Sequence, residues 1–224
     1  MEQLIFELAP AEPPRLANFL PGRNAELAAL LPRFVAGQGD ETGLLLWGDA
    51  GAGKTHLLRA AVTLAGEQGG NARFVDDPGT LAASPIGAET LVAIDRVDTA
   101  DAAAAAAIFT LYNALRARGG RLIAASRAPL SALPLREDLR TRLGWGLVYE
   151  VLPLADDDKP AAMAAFARQR GFGLSPEVID YLLAHSRRDL PALLATLAAL
   201  DRASLASRRP ITVPLLKSWQ LRNL

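Results

Sequence analysis

Up to Pro153 the chain alternates short apolar runs with longer stretches of helical spacing. The runs are LLLW (44–47), ARFV (72–75), TLVAID (90–95), RLIAAS (121–126) and GLVYEV (146–151). Each is short and mostly apolar rather than alternating, the pattern of a strand buried on both faces of a parallel sheet. Between them, apolar residues recur at helical intervals over 23–34 (Ala25, Leu27, Leu30, Leu31, Phe34), 54–66, 102–117 and 136–143. Strands alternating with helices predict a parallel sheet with helices on both faces. The alanine-rich stretch 102–117 fits this, because alanine is the best helix former. After Pro153 the texture changes. Segments 156–170, 175–186, 189–207 and 212–222 all show helical periodicity, with starts at Asp156, Ser175-Pro176, Asp189 and Thr212, and no strand candidate remains. The expectation is an α/β domain followed by a small all-helical one. Its bounds are an N-terminal peptide and Pro-rich spacer (1–15), an αβ nucleotide-binding domain (16–152) and a helical lid (153–224).

Composition narrows the classes without choosing among them. The chain has 224 residues, half of them hydrophobic, enough for a sizeable core. Its 24 basic and 24 acidic residues cancel, so no global basic field favours nonspecific nucleic-acid binding. There is no cysteine, which excludes disulfides and thiolate metal sites and fits a reducing cytosol. No basic leader with an apolar stretch opens the chain, and no uninterrupted apolar run has bilayer-spanning length. The expected location is the cytoplasm, without membrane contact.

The chemistry begins where the first strand ends. GDAGAGKTHLL satisfies G-x-x-x-x-G-K-[ST], with Gly48, Asp49, Ala50, Gly51, Ala52, Gly53, Lys54 and Thr55 forming the loop and His56 following. Glycines let backbone N–H groups converge on phosphate oxygens, and the helix starting at Lys54 points its positive end at the same anion. Lys54 would reach the β/γ-phosphates and Thr55 would ligate Mg²⁺. The carboxylate expected on the metal beside the Thr55 hydroxyl is Asp95, at the end of TLVAID. The ligand expected is therefore ADP or ATP with Mg²⁺. The position after Asp95 is Arg96, where many such ATPases place a Glu to orient water; arginine accepts no proton, so weak intrinsic hydrolysis is expected, with Asp98 as the alternative base.

A P-loop αβ core before a small helical domain resembles the AAA+ ATPases. GKTHLLRAA, FTLYNAL, RLIAASRAPL, DLRTRLGWGLVYEV and SRRDLPALLATL resemble, in order, the ATPase region of the bacterial replication initiator DnaA. FLPGRNAEL resembles the segment that opens that region near the adenine. The resemblance implies that Arg142, in TRLGWG, is an arginine finger acting on nucleotide held by a neighbouring subunit, with Arg140 as competitor. It implies that Arg188 is the sensor II arginine, with Arg187 adjacent, and that Ser126 stands at sensor I, where the family usually has Asp. His56 is expected to pack or hydrogen-bond rather than act as a base.

Two departures point to a subgroup. The residues after Arg188 suffice for two helices, so the initiator's DNA-binding domain is not expected. The N-terminus instead offers QLIFEL, similar to the peptide by which partners dock on the DNA polymerase sliding clamp, with Gln3, Leu4, Phe6 and Leu8 as contacts. Its bland alternative is an edge strand packed on the chain's own core. An initiator-like module tethered to the clamp resembles the regulatory inactivators of DnaA. That implies two partners, DnaA and the DNA polymerase III β clamp, with DNA reached through the clamp. Whether ADP or ATP is resident stays open, as does a homodimer. The rival is an autonomous ATPase of helicase-loader type; a small-molecule kinase would leave RLGWGL unexplained.

Overall fold

The computed structural model describes residues 13–83, 87–186 and 189–223. They fall into two compact units, Pro13–Pro153 and the part from Leu154 onward. In the first, five strands form one sheet: β1 (Gly43–Trp47), β2 (Ala72–Val75), β3 (Leu91–Ile94), β4 (Arg121–Ser126) and β5 (Leu147–Glu150). Their order is β2-β3-β4-β1-β5 and every pairing is parallel. Four helices accompany them: α1 (Ala25–Val35), α2 (Lys54–Glu67), α3 (Ala102–Ala117) and α4 (Glu137–Gly144).

For the inner strands β3, β4 and β1 the continuous apolar runs are explained by two filled faces, whereas the edge strands β2 and β5 keep half-buried or exposed positions, contrary to the expectation for those two runs. Successive strand side chains point to opposite sides. Leu45, Val92, Ile94, Leu122 and Ala124 pack with Ile108, Leu111, Tyr112 and Leu115 of α3 and Leu139 and Leu143 of α4. Leu44, Leu46, Leu91, Ala93, Ile123 and Ala125 pack on the other side with Leu27, Leu31 and Phe34 of α1 and Leu57, Leu58, Ala61 and Ala65 of α2. Burying each such leucine stabilises the fold by about 2 kcal/mol. The Asp101 carboxylate accepts the Ala104 N–H at 2.8 Å and so caps α3.

The chain enters and leaves this unit through one clip. Buried Asn24 donates from Nδ2 to the Leu152 carbonyl and accepts from the Leu152 N–H, both at 2.8 Å. The side chain thereby imitates one rung of a strand ladder just past β5.

The second unit is helical: α5 (Lys159–Gln169), α6 (Pro176–His185), α7 (Leu190–Ser207) and α8 (Val213–Asn223). Proline sits in the first turn of α5, α6 and α7, where its missing N–H costs nothing. Met163, Val178, Leu182, Leu193, Leu197, Leu200 and Leu216 form its core. Arg170 Nε donates to Asp201 Oδ2 at 3.1 Å, an ion pair with little solvent on either side. By length and composition α7 could cross a membrane, yet three of its leucines lie in this core.

Candidate functional site: the phosphate loop and the Arg142 shelf

Parallel pairing brings the carboxyl ends of the strands level. Trp47 is in register with Ser126, and Ile94, next to Asp95, pairs with Ala124. The loop after β1, Asp95 and Ser126 therefore share the edge where open α/β sheets place their ligands.

The loop geometry fits a polyphosphate. Gly48 has φ +146° and a Cβ there would stand 2.4 Å from the Val151 carbonyl oxygen. Gly53 has φ +104°, and a Cβ would meet the Phe19 ring at 3.1 Å. Gly53 also supplies the N-cap of α2 without any capping side chain. The first N–H groups of that helix have no intrahelical acceptor and remain available to an anion. Lys54 is buried; its ammonium donates to the carbonyls of Gly48 and Asp49, both at 2.7 Å, and so lies across the loop. Burial pushes the Lys54 pKa below its usual value, with Asp95 pulling it back up. A phosphate would add a direct counter-charge to this buried cation, which makes no ion pair among the described residues.

The side chains of Thr55 and Asp95 meet. The Thr55 hydroxyl donates to Asp95 Oδ2 at 2.5 Å, while the Arg96 N–H donates to Asp95 Oδ1 at 2.8 Å. Asp95 is buried. One hydroxyl and one carboxylate are a sparse set, suited to Mg²⁺, which keeps several waters and takes substrate phosphates as ligands. No cluster of three His, Cys, Asp or Glu that could hold a metal occurs among the described residues.

Other features were not legible in the pattern. Arg96 is one of two non-glycine residues with positive φ among the described residues, at +52°. Its guanidinium turns to Asp76, with Nη2 donating to the carbonyl at 2.8 Å. Asp98 Oδ1 accepts the Arg127 N–H at 3.3 Å. Buried Ser126 donates its hydroxyl to the Ala128 carbonyl at 2.6 Å. His56 packs against Phe19, ring centroids 5.7 Å apart, with Nε2 3.0 Å from the Arg15 carbonyl oxygen. Burial lowers its pKa. Arg15 also pairs with Glu67 at the far end of α2. Nothing local in sequence announces the Phe19 and Arg15 contacts; they span more than thirty positions.

Arg142 lies on α4, on the opposite face of the sheet from α2. Its guanidinium carbon is 4.0 Å from the ring centre of Trp145 and 5.5 Å from that of Phe109. Arg116 covers Trp145 as well, at 5.0 Å. Trp145 remains 52% exposed. An open cavity of about 780 Å³ adjoins, lined by Phe109, Arg136, Glu137, Asp138, Thr141, Arg142 and Trp145. Arg136 is neutralised by Asp138 at 2.7 Å. Arg142 has no ion pair or side-chain hydrogen bond among the described residues. Gln3, Leu4, Phe6, Leu8 and Arg188 lie outside the described residues.

Comparison with known proteins agrees with this architecture. Residues 156–219 match the family model of the Hda lid domain. Domain III of the Thermotoga maritima replication initiation protein DnaA matches with TM-score 0.79 and 17% identity, over 93% of this chain and 96% of that one. AMPPCP-bound DnaA from Aquifex aeolicus matches with TM-score 0.72 and 20% identity, over 84% of this chain and 64% of that one. The RuvB Holliday junction branch migration motor of Thermotoga maritima matches with TM-score 0.69 and 17% identity, over 93% and 71%. At these identities the structural likeness is one of fold.

Proposed function

We propose that the chain, whose residues 156–219 match the Hda lid domain and whose fold is like that of DnaA domain III, is a cytoplasmic regulatory inactivator of the replication initiator DnaA. It binds ADP or ATP with Mg²⁺ through residues 48–56, Asp95 and Ser126, with Arg188 closing the lid. Its N-terminal peptide docks on the sliding clamp through Gln3, Leu4, Phe6 and Leu8, and DNA is reached through the clamp. Arg142 then enters the nucleotide site of ATP-bound DnaA and stabilises charge developing on the transferred phosphoryl group. An arginine finger supplied in trans is worth about 10³–10⁵ in rate. The initiator passes to its ADP form and re-initiation stops. A homodimer formed through the N-terminal peptide when no clamp is present is a second state.

The observation that supports this reading best is Arg142 itself. A guanidinium whose carbon lies 4.0 Å from the centre of a half-exposed indole, with no carboxylate pairing with it among the described residues, keeps its N–H donors for an anion. Arg96 adds to it. Its side chain is occupied with Asp76 and cannot act as a base, so the chain's own turnover is expected to be slow.

The test mixes ATP-loaded DnaA, clamp loaded on DNA and this chain, and follows phosphate release. Release accelerates with the wild type. It returns to the initiator's own rate with Arg142→Ala, and with Gln3 and Leu4 both replaced by Ala. Brisk hydrolysis by the isolated chain would favour the helicase-loader type instead.

A further inference from the structure

Trp145 has the wrong exposure for a core residue. It ends α4 with half its surface in solvent and two guanidinium groups against its ring. Each contact lies within the roughly 6 Å at which a cation is attracted to an aromatic face. Two like-charged arginines share one indole, whose attraction for each offsets part of their mutual repulsion. Arg116, from α3, is exposed and is the more distant of the two. Arg142 is the closer, and a second ring, Phe109, flanks it. The neighbouring arginines are treated differently. Arg136 is spent on Asp138, and Arg140 stacks on no ring among the described residues.

We propose that Trp145 is a positioning residue for Arg142: the indole fixes the plane of the guanidinium and thus the direction in which its N–H fork faces a phosphate oxygen. This rests on Arg142 acting in trans, as proposed above. An ion pair would also immobilise Arg142, but it would consume the donors that the phosphate needs. A π face immobilises the cation from its flat side and leaves the edge unspent. Arg116, pressing from α3, keeps the ring from rotating away and adds positive potential without occupying the fork. Discrimination between Arg142 and Arg140 then follows from the i,i+3 spacing that sets Arg142 against Trp145, with Phe109 of α3 adding the tertiary part.

The experiment measures phosphate release from ATP-loaded DnaA, with DNA-loaded clamp, as a function of the concentration of this chain. Trp145→Leu is expected to lower the maximal stimulated rate about tenfold while leaving the half-saturating concentration unchanged, whereas Trp145→Phe stays within about threefold of wild type. A wild-type maximal rate for Trp145→Leu, equal losses in both variants, or a change in half-saturation alone overturns the proposal. If Arg142→Ala is as active as wild type, the trans-finger reading falls and this inference with it. If Arg142→Ala is inactive and Trp145→Leu is not, only this inference falls. A second readout uses the free protein. The indole N–H resonance of Trp145 should shift in Arg142→Ala and stay in place in Arg140→Ala; an unmoved resonance in both overturns the contact.

Discussion

Gly48→Ala is the sharpest test of the phosphate-loop geometry, because its cost can be worked out beforehand. The residue sits at φ +146°, and an added methyl would lie 2.4 Å from the carbonyl oxygen of Val151. Holding a non-glycine residue in such a conformation costs about 1–3 kcal/mol. The overlap is about 1 Å against an ordinary van der Waals separation of about 3.4 Å, too much for a rotamer change to absorb because both partners are backbone. Val151 is itself tied to β1, its N–H donating to the Trp47 carbonyl at 2.7 Å. Relief therefore means peeling the chain after β5 from β1, with loss of that bond, worth about 1 kcal/mol. The sum is about 3 kcal/mol, or a fall in melting temperature of about 6–12 °C for a chain of this size. Nucleotide affinity should fall too, since the same shift opens the loop. Thermal unfolding followed by far-ultraviolet circular dichroism, with and without ADP and Mg²⁺, measures both. Gly66→Ala is the control. Gly66 lies inside α2 with nothing within 4 Å of its would-be Cβ, so alanine there should stabilise by about 0.5–1 kcal/mol. A Gly48→Ala melting temperature within about 2 °C of wild type would refute the reasoning.

Thr55→Val removes the hydroxyl that meets Asp95, so ADP binding should persist in calorimetry but lose its enhancement by Mg²⁺. His56 is held below its ordinary value of 6.5 by burial, partly offset by the Arg15 carbonyl. The unfolded chain then takes up the proton first, so His56 contributes full stability above pH 6.5, lost as pH falls through and below it. Melts over pH about 7.5 to about 5.5 should show this decline, and His56→Gln should flatten it. In the helical unit, Asp201→Ala leaves the Arg170 guanidinium largely buried and unpaired, at a cost of about 3 kcal/mol readable in urea unfolding; Arg170→Met with Asp201→Leu should recover most of it.

The order and type of the elements were written in the linear pattern. Runs such as LLLW and RLIAAS became β1 and β4, and the periodic stretches became helices, because burial on two faces demands continuous apolar runs and burial on one demands helical spacing. The phosphate loop was equally legible, since its glycines, lysine and threonine are contiguous and their chemistry depends on local backbone shape. That Asp95 would lie beside the loop was also legible, because a parallel strand ending next to it has few places to be.

What sequence could not supply were contacts made across the sheet and between distant segments. Phe19 against Gly53, Asn24 clipping Leu152, and Arg116 reaching Trp145 join residues whose separation along the chain carries no period; Arg142 and Trp145, three apart at the end of α4, do stand at a helical interval. Nor does the identity of Arg96 reveal that a left-handed backbone turns its side chain to Asp76. Local propensity and spacing depend on a few neighbouring residues and are readable in one dimension. The direction in which a guanidinium points depends on which helix lies beside it, and only packing in three dimensions settles that.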